Sequence, residues 1–221
     1  MNRPFIINFK NYAEASAGKT VELARAAQAA AKKLDVELVI APPQPSLALV
    51  CKNVDMPVVC QHVDGEKEGA TTGFFVPEVA RSYGAAGSLV NHSEHRIGME
   101  AVEEIVKRLR SLGMVSIVCA RTPEEVSQIA RFSPDFIAIE PPELIGSGRA
   151  VSKENPAIIT DSIRAADGKS KVICGAGITD GGDIAKAIQL GSHGVLVASG
   201  IVKASSWPDK IAELASAMPK Q

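Results

Sequence analysis

The residues best suited to chemistry stand at the ends of short apolar runs. Asp135-Phe136-Ile137-Ala138-Ile139 reads as a buried strand, and the run stops at a carboxylate, Glu140. Pro141 and Pro142 follow and must end the strand, while Gly146-Ser147-Gly148 leaves the far side of the loop pliable. A carboxylate under a loop with a rigid start and a flexible finish suits a base beneath a lid. The plainer reading is a solvated or helix-capping glutamate. Lys10, after Asn8-Phe9, occupies a similar place and could offset the charge of a dianion; the plainer reading is a solvated strand-end lysine. His92, after Asn91, could serve as acid, base or hydrogen-bond donor, or be a satisfied core histidine. Ser93 and Glu94 suit the start of a helical turn, whose N-terminus would favour a neutral ring at His92.

Positioning these groups requires a repeated frame. Strand candidates are Pro4–Phe9, Val36–Ala41, Pro57–His62, Ser88–Asn91, Val115–Cys119, Phe136–Glu140, Lys171–Gly175 and Gly194–Ala198. Helix candidates are Ser16–Lys33, Gln44–Lys52, Pro77–Tyr83, Gly98–Ser111, Thr122–Ala130, Pro156–Ala166, Asp180–Leu190 and Pro208–Ala217. Thr122-Pro123-Glu124-Glu125 offers an N-cap, a proline at the first helical position and acids in the first turn; Thr179-Asp180 and Ser206 are similar starts. Strands and helices alternate without a hairpin signal. The pattern is α/β and predicts a single (β/α)8 barrel over residues 1–221, with a doubly wound open sheet as the runner-up. In such a barrel the strands' carboxyl ends carry the chemistry. Two of them end in glycine-rich turns, Gly175-Ala176-Gly177 and Ala198-Ser199-Gly200, whose amides suit a phosphate. Tight strand–helix turns would use the same glycines.

Composition narrows the class. The 221 residues are 46% hydrophobic and only 4% aromatic, so Ala, Val and Ile must fill a large core. With net charge −1 and a pI of about 6.4, nothing in bulk points to nucleic acid or an anionic membrane. Cys51, Cys60, Cys119 and Cys174 show no metal-ligand spacing; the last three sit in apolar runs and read as buried thiols of a reducing cytoplasm. No stretch approaches the ~20 apolar residues of a membrane span, and the MNRPFIINFK start lacks the apolar run of a signal peptide. His62 and His193 read as structural or interface residues and His95 as a surface one.

Taken together, N-F-K at 8–10, N-H-S-E-H-R at 91–96, I-E-P-P-E-L-I-G-S-G at 139–148, C-G-A-G at 174–177 and V-A-S-G at 197–200 resemble the triosephosphate isomerase family, most closely its short, archaeal-type form. The resemblance spans nearly the whole chain. It implies a cofactor-free and metal-free isomerase of triose phosphates, cytoplasmic, serving glycolysis and gluconeogenesis, and a homo-oligomer, tetrameric or dimeric. It implies Lys10, His92 and Glu140 as the catalytic set. It implies Asn8, Ile145, Gly177, Ala198 and Ser199 at the substrate, Glu94 near Lys10, and Thr72 reaching a neighbouring subunit's site. The chain departs from the pattern at His95, where Arg is common. It has Phe74-Phe75 after Thr72-Gly73, and no tyrosine in the strand-seven motif to hold a closed lid. Another sugar-phosphate isomerase barrel would need different groups on strands one and five, which here end in Lys10 and Cys119. A catalytically silent phosphometabolite-binding barrel would not need the Lys10/His92/Glu140 set.

Overall fold

A computed structural model describes residues 1–144 and 148–220. Eight parallel strands form its centre: β1 (Phe5–Asn8), β2 (Leu38–Ala41), β3 (Val59–Cys60), β4 (Gly87–Val90), β5 (Val115–Ala120), β6 (Phe136–Ile139), β7 (Lys171–Cys174) and β8 (Val195–Val197). The strand order β2-β1-β8-β7-β6-β5-β4-β3 brings the ends of the sheet together, and a single parallel bridge, Ile40 to Val58, joins β2 to β3. The sheet is therefore a barrel, and the open-sheet alternative is excluded.

Strand alternation decides which side chains enter the barrel. Ile6, Ala41, Leu89, Ile117, Cys119, Phe136, Ala138 and Leu196 pack in one interior cluster, whereas Phe5, Ile7, Ile137 and Ile139 face the helices. The same period of two carries Asn8 inward above Ile6, and Glu140 inward above Ala138. Register does the rest: Asn8 pairs Ala41 and Cys119 pairs Ala138, so the chemical groups gather at one mouth.

Around the strands lie α1 (Gly18–Leu34), α2 (Leu47–Asn53), α3 (Pro77–Ser82), α4 (Met99–Ser111), α5 (Pro123–Ala130), α6 (Val151–Glu154), α7 (Pro156–Ala166), α8 (Gly181–Gln189), α9 (Ser199–Val202) and α10 (Trp207–Ala215). In α1, buried Leu23, Ala24, Ala27 and Ala30 fall at helical spacing, and small alanines let the helix approach the sheet. Thr122 caps α5 by accepting from the Glu125 amide at 3.3 Å, and Asp180 and Asp183 form a capping box on α8. Ser206 behaves differently from expectation: its hydroxyl lies 2.6 Å from the Asp209 carboxylate and caps no amide. The short α6 and α9 were not expected, because four residues carry too little periodicity to read. Cys60, Cys119 and Cys174 are buried free thiols and Cys51 is half-buried; burial pushes Cys60 and Cys174 up to about 12. Among the described residues no helix is long and apolar enough to cross a membrane.

Candidate active site

Lys10 leaves β1 in a left-handed conformation, φ 48°, which lysine adopts only when its surroundings enforce it. Two side-chain amides do so, one on β1 itself and one just after β3. The Asn8 Oδ1 accepts from the Lys10 backbone N–H at 2.9 Å, and the Gln61 Nε2 donates to the Lys10 carbonyl at 3.1 Å. Gln61 also donates to the Ala41 carbonyl at 3.1 Å, tying the corner to β2. The Lys10 ammonium is then aimed across the barrel mouth and meets Glu94 Oε1 at 2.6 Å.

His92 is placed by a single hydrogen-bonded turn, not by a helix. The His95 N–H donates to the His92 carbonyl at 2.8 Å, and the next helix, α4, begins only at Met99. The expected helix N-terminus is therefore absent at His92. What sets the ring is a local amide: Glu94 N–H donates to His92 Nδ1 at 3.2 Å. Asn91 makes the turn possible. Buried and left-handed at φ 61°, it donates from Nδ2 to the Cys119 carbonyl at 3.1 Å and accepts on Oδ1 from the Ile97 amide at 3.1 Å.

Glu140 is 2% exposed, its Oε1 3.5 Å from His92 Nε2. Among the described residues Oε2 has no hydrogen-bond partner. Burial raises the Glu140 carboxyl above its ordinary value; His92, the Cys119 thiol and Lys10 pull the other way. The thiol in turn is pushed well up by burial and by the Glu140 charge beside it. Cys119 was expected only as a buried thiol, and its contact with the carboxylate follows from strand register, which a single sequence does not display. Gly175 provides the space: a Cβ there would stand 2.5 Å from Glu140 Cγ.

A cavity of about 170 Å³ brings Lys10, His92 and Glu140 together with Gly177, Ala198 and Ser199. Gly200, the last residue of the Ala198-Ser199-Gly200 turn, and Thr179, read from sequence only as a helix start, also line it. Ser199 and Gly200 open α9, so their amides have no acceptor within that helix. Ile145, with Gly146 and Ser147, lies outside the described residues. Asn8 and Glu94 line a neighbouring cavity of about 380 Å³ that shares Lys10 and His92 and is walled by Gln44, Gln61 and His95. His95 is exposed, as expected, and stacks on buried His62 with ring centroids 4.0 Å apart. Thr72 is the one described residue of the expected set that lines neither cavity. It is exposed on the loop after β3, whose two ends are held by Arg108: bidentate to Glu78 at 2.7 Å, and donating to the carbonyls of Gly65 (2.7 Å) and Glu66 (2.6 Å).

The model of the family described as triosephosphate isomerase matches residues 4–217. The chain belongs to the triosephosphate isomerase family. Among relatives of that name, the protein of Cenarchaeum symbiosum is 52% identical over 216 residues, covering 96% of each chain. That of Sulfurisphaera tokodaii is 44% identical over 217 residues, covering 96% of this chain and 94% of its own. The triosephosphate isomerase of Methanothermus fervidus is 40% identical over 222 residues, covering 99% of this chain and all of its own. The relatives are full-length matches and archaeal, in line with the short form that the motifs resemble.

Proposed function

We propose that the protein interconverts D-glyceraldehyde 3-phosphate and dihydroxyacetone phosphate. The observation that carries this reading is the convergence of Glu140, His92 and Lys10 on one small cavity that Gly177 and Ser199 also line. The Glu140 carboxylate takes the proton from the carbon next to the carbonyl, the C–H electron pair forms the new C=C bond, and the C=O π pair moves onto the carbonyl oxygen. His92 Nε2–H and the Lys10 ammonium stabilise the enediolate oxygens as that charge forms. His92 gives its Nε2 proton to the former carbonyl oxygen and takes the hydroxyl proton from the neighbouring carbon's oxygen, and protonated Glu140 returns its proton to the former carbonyl carbon, so atoms and charge balance over the cycle. The substrate carbonyl is itself the electron sink, and the reaction calls for neither metal nor organic cofactor. Asn8 serves by holding the Lys10 backbone, and Glu94 by orienting both Lys10 and the His92 ring. Gly177, Ala198 and Ser199 receive the phosphate, and Ile145 is assigned to the substrate by resemblance alone.

The raised Glu140 carboxyl fits a base, because a base with a higher pKa has the greater driving force for taking a carbon-bound proton. We assign the reaction to glycolysis and gluconeogenesis in the cytoplasm. The working form is proposed to be a homo-oligomer, dimer or tetramer, in which Thr72 of one copy enters the cavity beside Lys10 of another. Turnover of D-glyceraldehyde 3-phosphate in a coupled assay tests the activity directly. A folded protein with no turnover would instead favour the catalytically silent binding barrel.

A further inference from the structure

The loop between β7 and α8 is organised by a buried carboxylate that the proposed chemistry does not use. Asp183 is 1% exposed. Its Oδ2 accepts from the Thr179 amide at 2.8 Å, the Thr179 hydroxyl at 3.0 Å and the Asp180 amide at 3.1 Å. Its Oδ1 forms an ion pair with Lys153 at 2.6 Å, and Lys153 also reaches Asp180 Oδ2 at 3.2 Å. Burial works against the Asp183 charge, but Lys153 and the Thr179 and Asp180 donors outweigh it and hold the carboxyl below its ordinary value.

Capping α8 needs only the reciprocal Asp180–Asp183 pair. The lysine is an addition, and it comes from a different part of the chain. Lys153 lies on α6, which follows the loop after Glu140. Three more contacts fasten that segment to the β7–α8 loop. Ser152 Oγ donates to the Asp183 carbonyl at 3.1 Å, and Val151 N–H donates to the Ala176 carbonyl at 3.3 Å. Gly177, at φ 73°, lets the Arg149 carbonyl pass so closely that a Cβ would stand 1.8 Å from it. From the other side, Lys210 of α10 donates to the Thr179 carbonyl at 2.6 Å. Gly177 and Thr179 line the cavity that holds Lys10 and Glu140.

We propose that Asp183, with Lys153 as its counter-ion, is a positioning residue for the phosphate end of the substrate. It fixes the Thr179–Asp180 peptides and, with α6 fastened against Gly177, gives the cavity rim its shape before a dianion arrives. A rim already in place stabilises an anion without reorganising. The inference rests on the isomerase reading. It predicts that loss of the Asp183–Lys153 pair damages handling of the phosphate and spares the carbon chemistry.

Asp183→Asn, Lys153→Met and Lys153→Arg are compared in three measurements: isomerisation of the triose phosphate, proton exchange into unphosphorylated D-glyceraldehyde by NMR, and the affinity for inorganic phosphate. Loss of the pair should raise the phosphate dissociation constant and the KM for the triose phosphate about tenfold or more, the scale of one charge-assisted contact. Exchange into D-glyceraldehyde should stay within about twofold of wild type, because it needs only the reacting end. Lys153→Arg should restore both phosphate readings. Lys153 is half-exposed, so Lys153→Met keeps the question open to test even if Asp183→Asn fails to fold. Equal losses with and without the phosphate group, or unchanged phosphate affinity in Lys153→Met, would overturn the proposal. Phosphate affinity is read without turnover. An inactive wild type therefore removes the isomerase reading, while the phosphate measurement still decides this one.

Discussion

The Glu94 amide donates its proton to His92 Nδ1 at 3.2 Å, and this leaves the ring's own hydrogen on Nε2, 3.5 Å from Glu140 Oε1. The Glu94 carboxylate does not compete for that nitrogen. It stands off at 3.7 Å and is engaged by Lys10 at 2.6 Å. The neutral imidazole can therefore donate toward the cavity. Nitrogen-resolved NMR of the ring should show the Nε2–H tautomer, and an Nδ1–H ring would contradict the proposed role. Replacing the donor with His92→Ala should lower kcat by about 10²–10³, the usual effect of removing one donor to a developing oxyanion.

Glu140→Gln keeps the shape of the base but cannot accept the proton, and kcat should fall by at least ~10³. The same change should stabilise the fold at neutral pH. Burial raises the Glu140 carboxyl, so the folded chain holds that proton more tightly than the unfolded chain does. The stability from the protonated form is fully present below the ordinary carboxylate value and is lost as pH rises through the raised folded value. Glu140→Gln should thus melt above wild type at pH 8, with the gap closing toward pH 4. The acid limb of kcat/KM should lie above the ordinary value of 4.5. A variant that melts lower at every pH, or keeps a tenth of wild-type turnover, would refute this account.

Gly175→Ala tests the fit of the base rather than its chemistry. The added Cβ would meet Glu140 Cγ at 2.5 Å, so the glutamate must shift. A displacement on the scale of an ångström costs about 10² in rate when the reacting groups depend on alignment. We expect that loss in kcat with a cooperative melt retained. Unchanged kcat would show that Glu140 is not held where the structure puts it.

The two phenylalanines after Gly73 are not equivalent. Phe74 is 49% exposed, whereas Phe75 packs against the core and its amide donates to Asp64 Oδ2 at 2.6 Å. Only Phe74→Glu is therefore a clean test of assembly. If the loop enters a second copy, this variant should sediment as a smaller species and lose specific activity on dilution. Unchanged sedimentation would remove Phe74 from the contact.

Much of this was legible in the sequence because βα alternation fixes which chain positions share a barrel mouth. Lys10, His92 and Glu140 are 82 and 48 residues apart in sequence, yet each terminates a strand. What stayed hidden depends on close approach between strands and loops. Cys119 reads as one more buried thiol until β5–β6 register sets it against Glu140. Asp183 reads as an ordinary first-turn acid until α6 brings Lys153 to it. Ser-Glu after a strand suits a helix start and an isolated turn equally, and the buried side chain of Asn91 decides for the turn at His92.

The wall of the barrel is thinnest between β2 and β3. There β3 has two residues, and its junction with β2 is the bridge between Ile40 and Val58, where the Ile40 N–H donates to the Pro57 carbonyl at 3.2 Å. A further stitch is the Gln61 side chain, the same group that holds the Lys10 carbonyl. If the wall breathes, it breathes there, and each opening tugs on the peptide that aims the lysine. Slow exchange of solvent deuterium at Ile40 would thus report on the tension of the catalytic corner as well as on the strength of the wall.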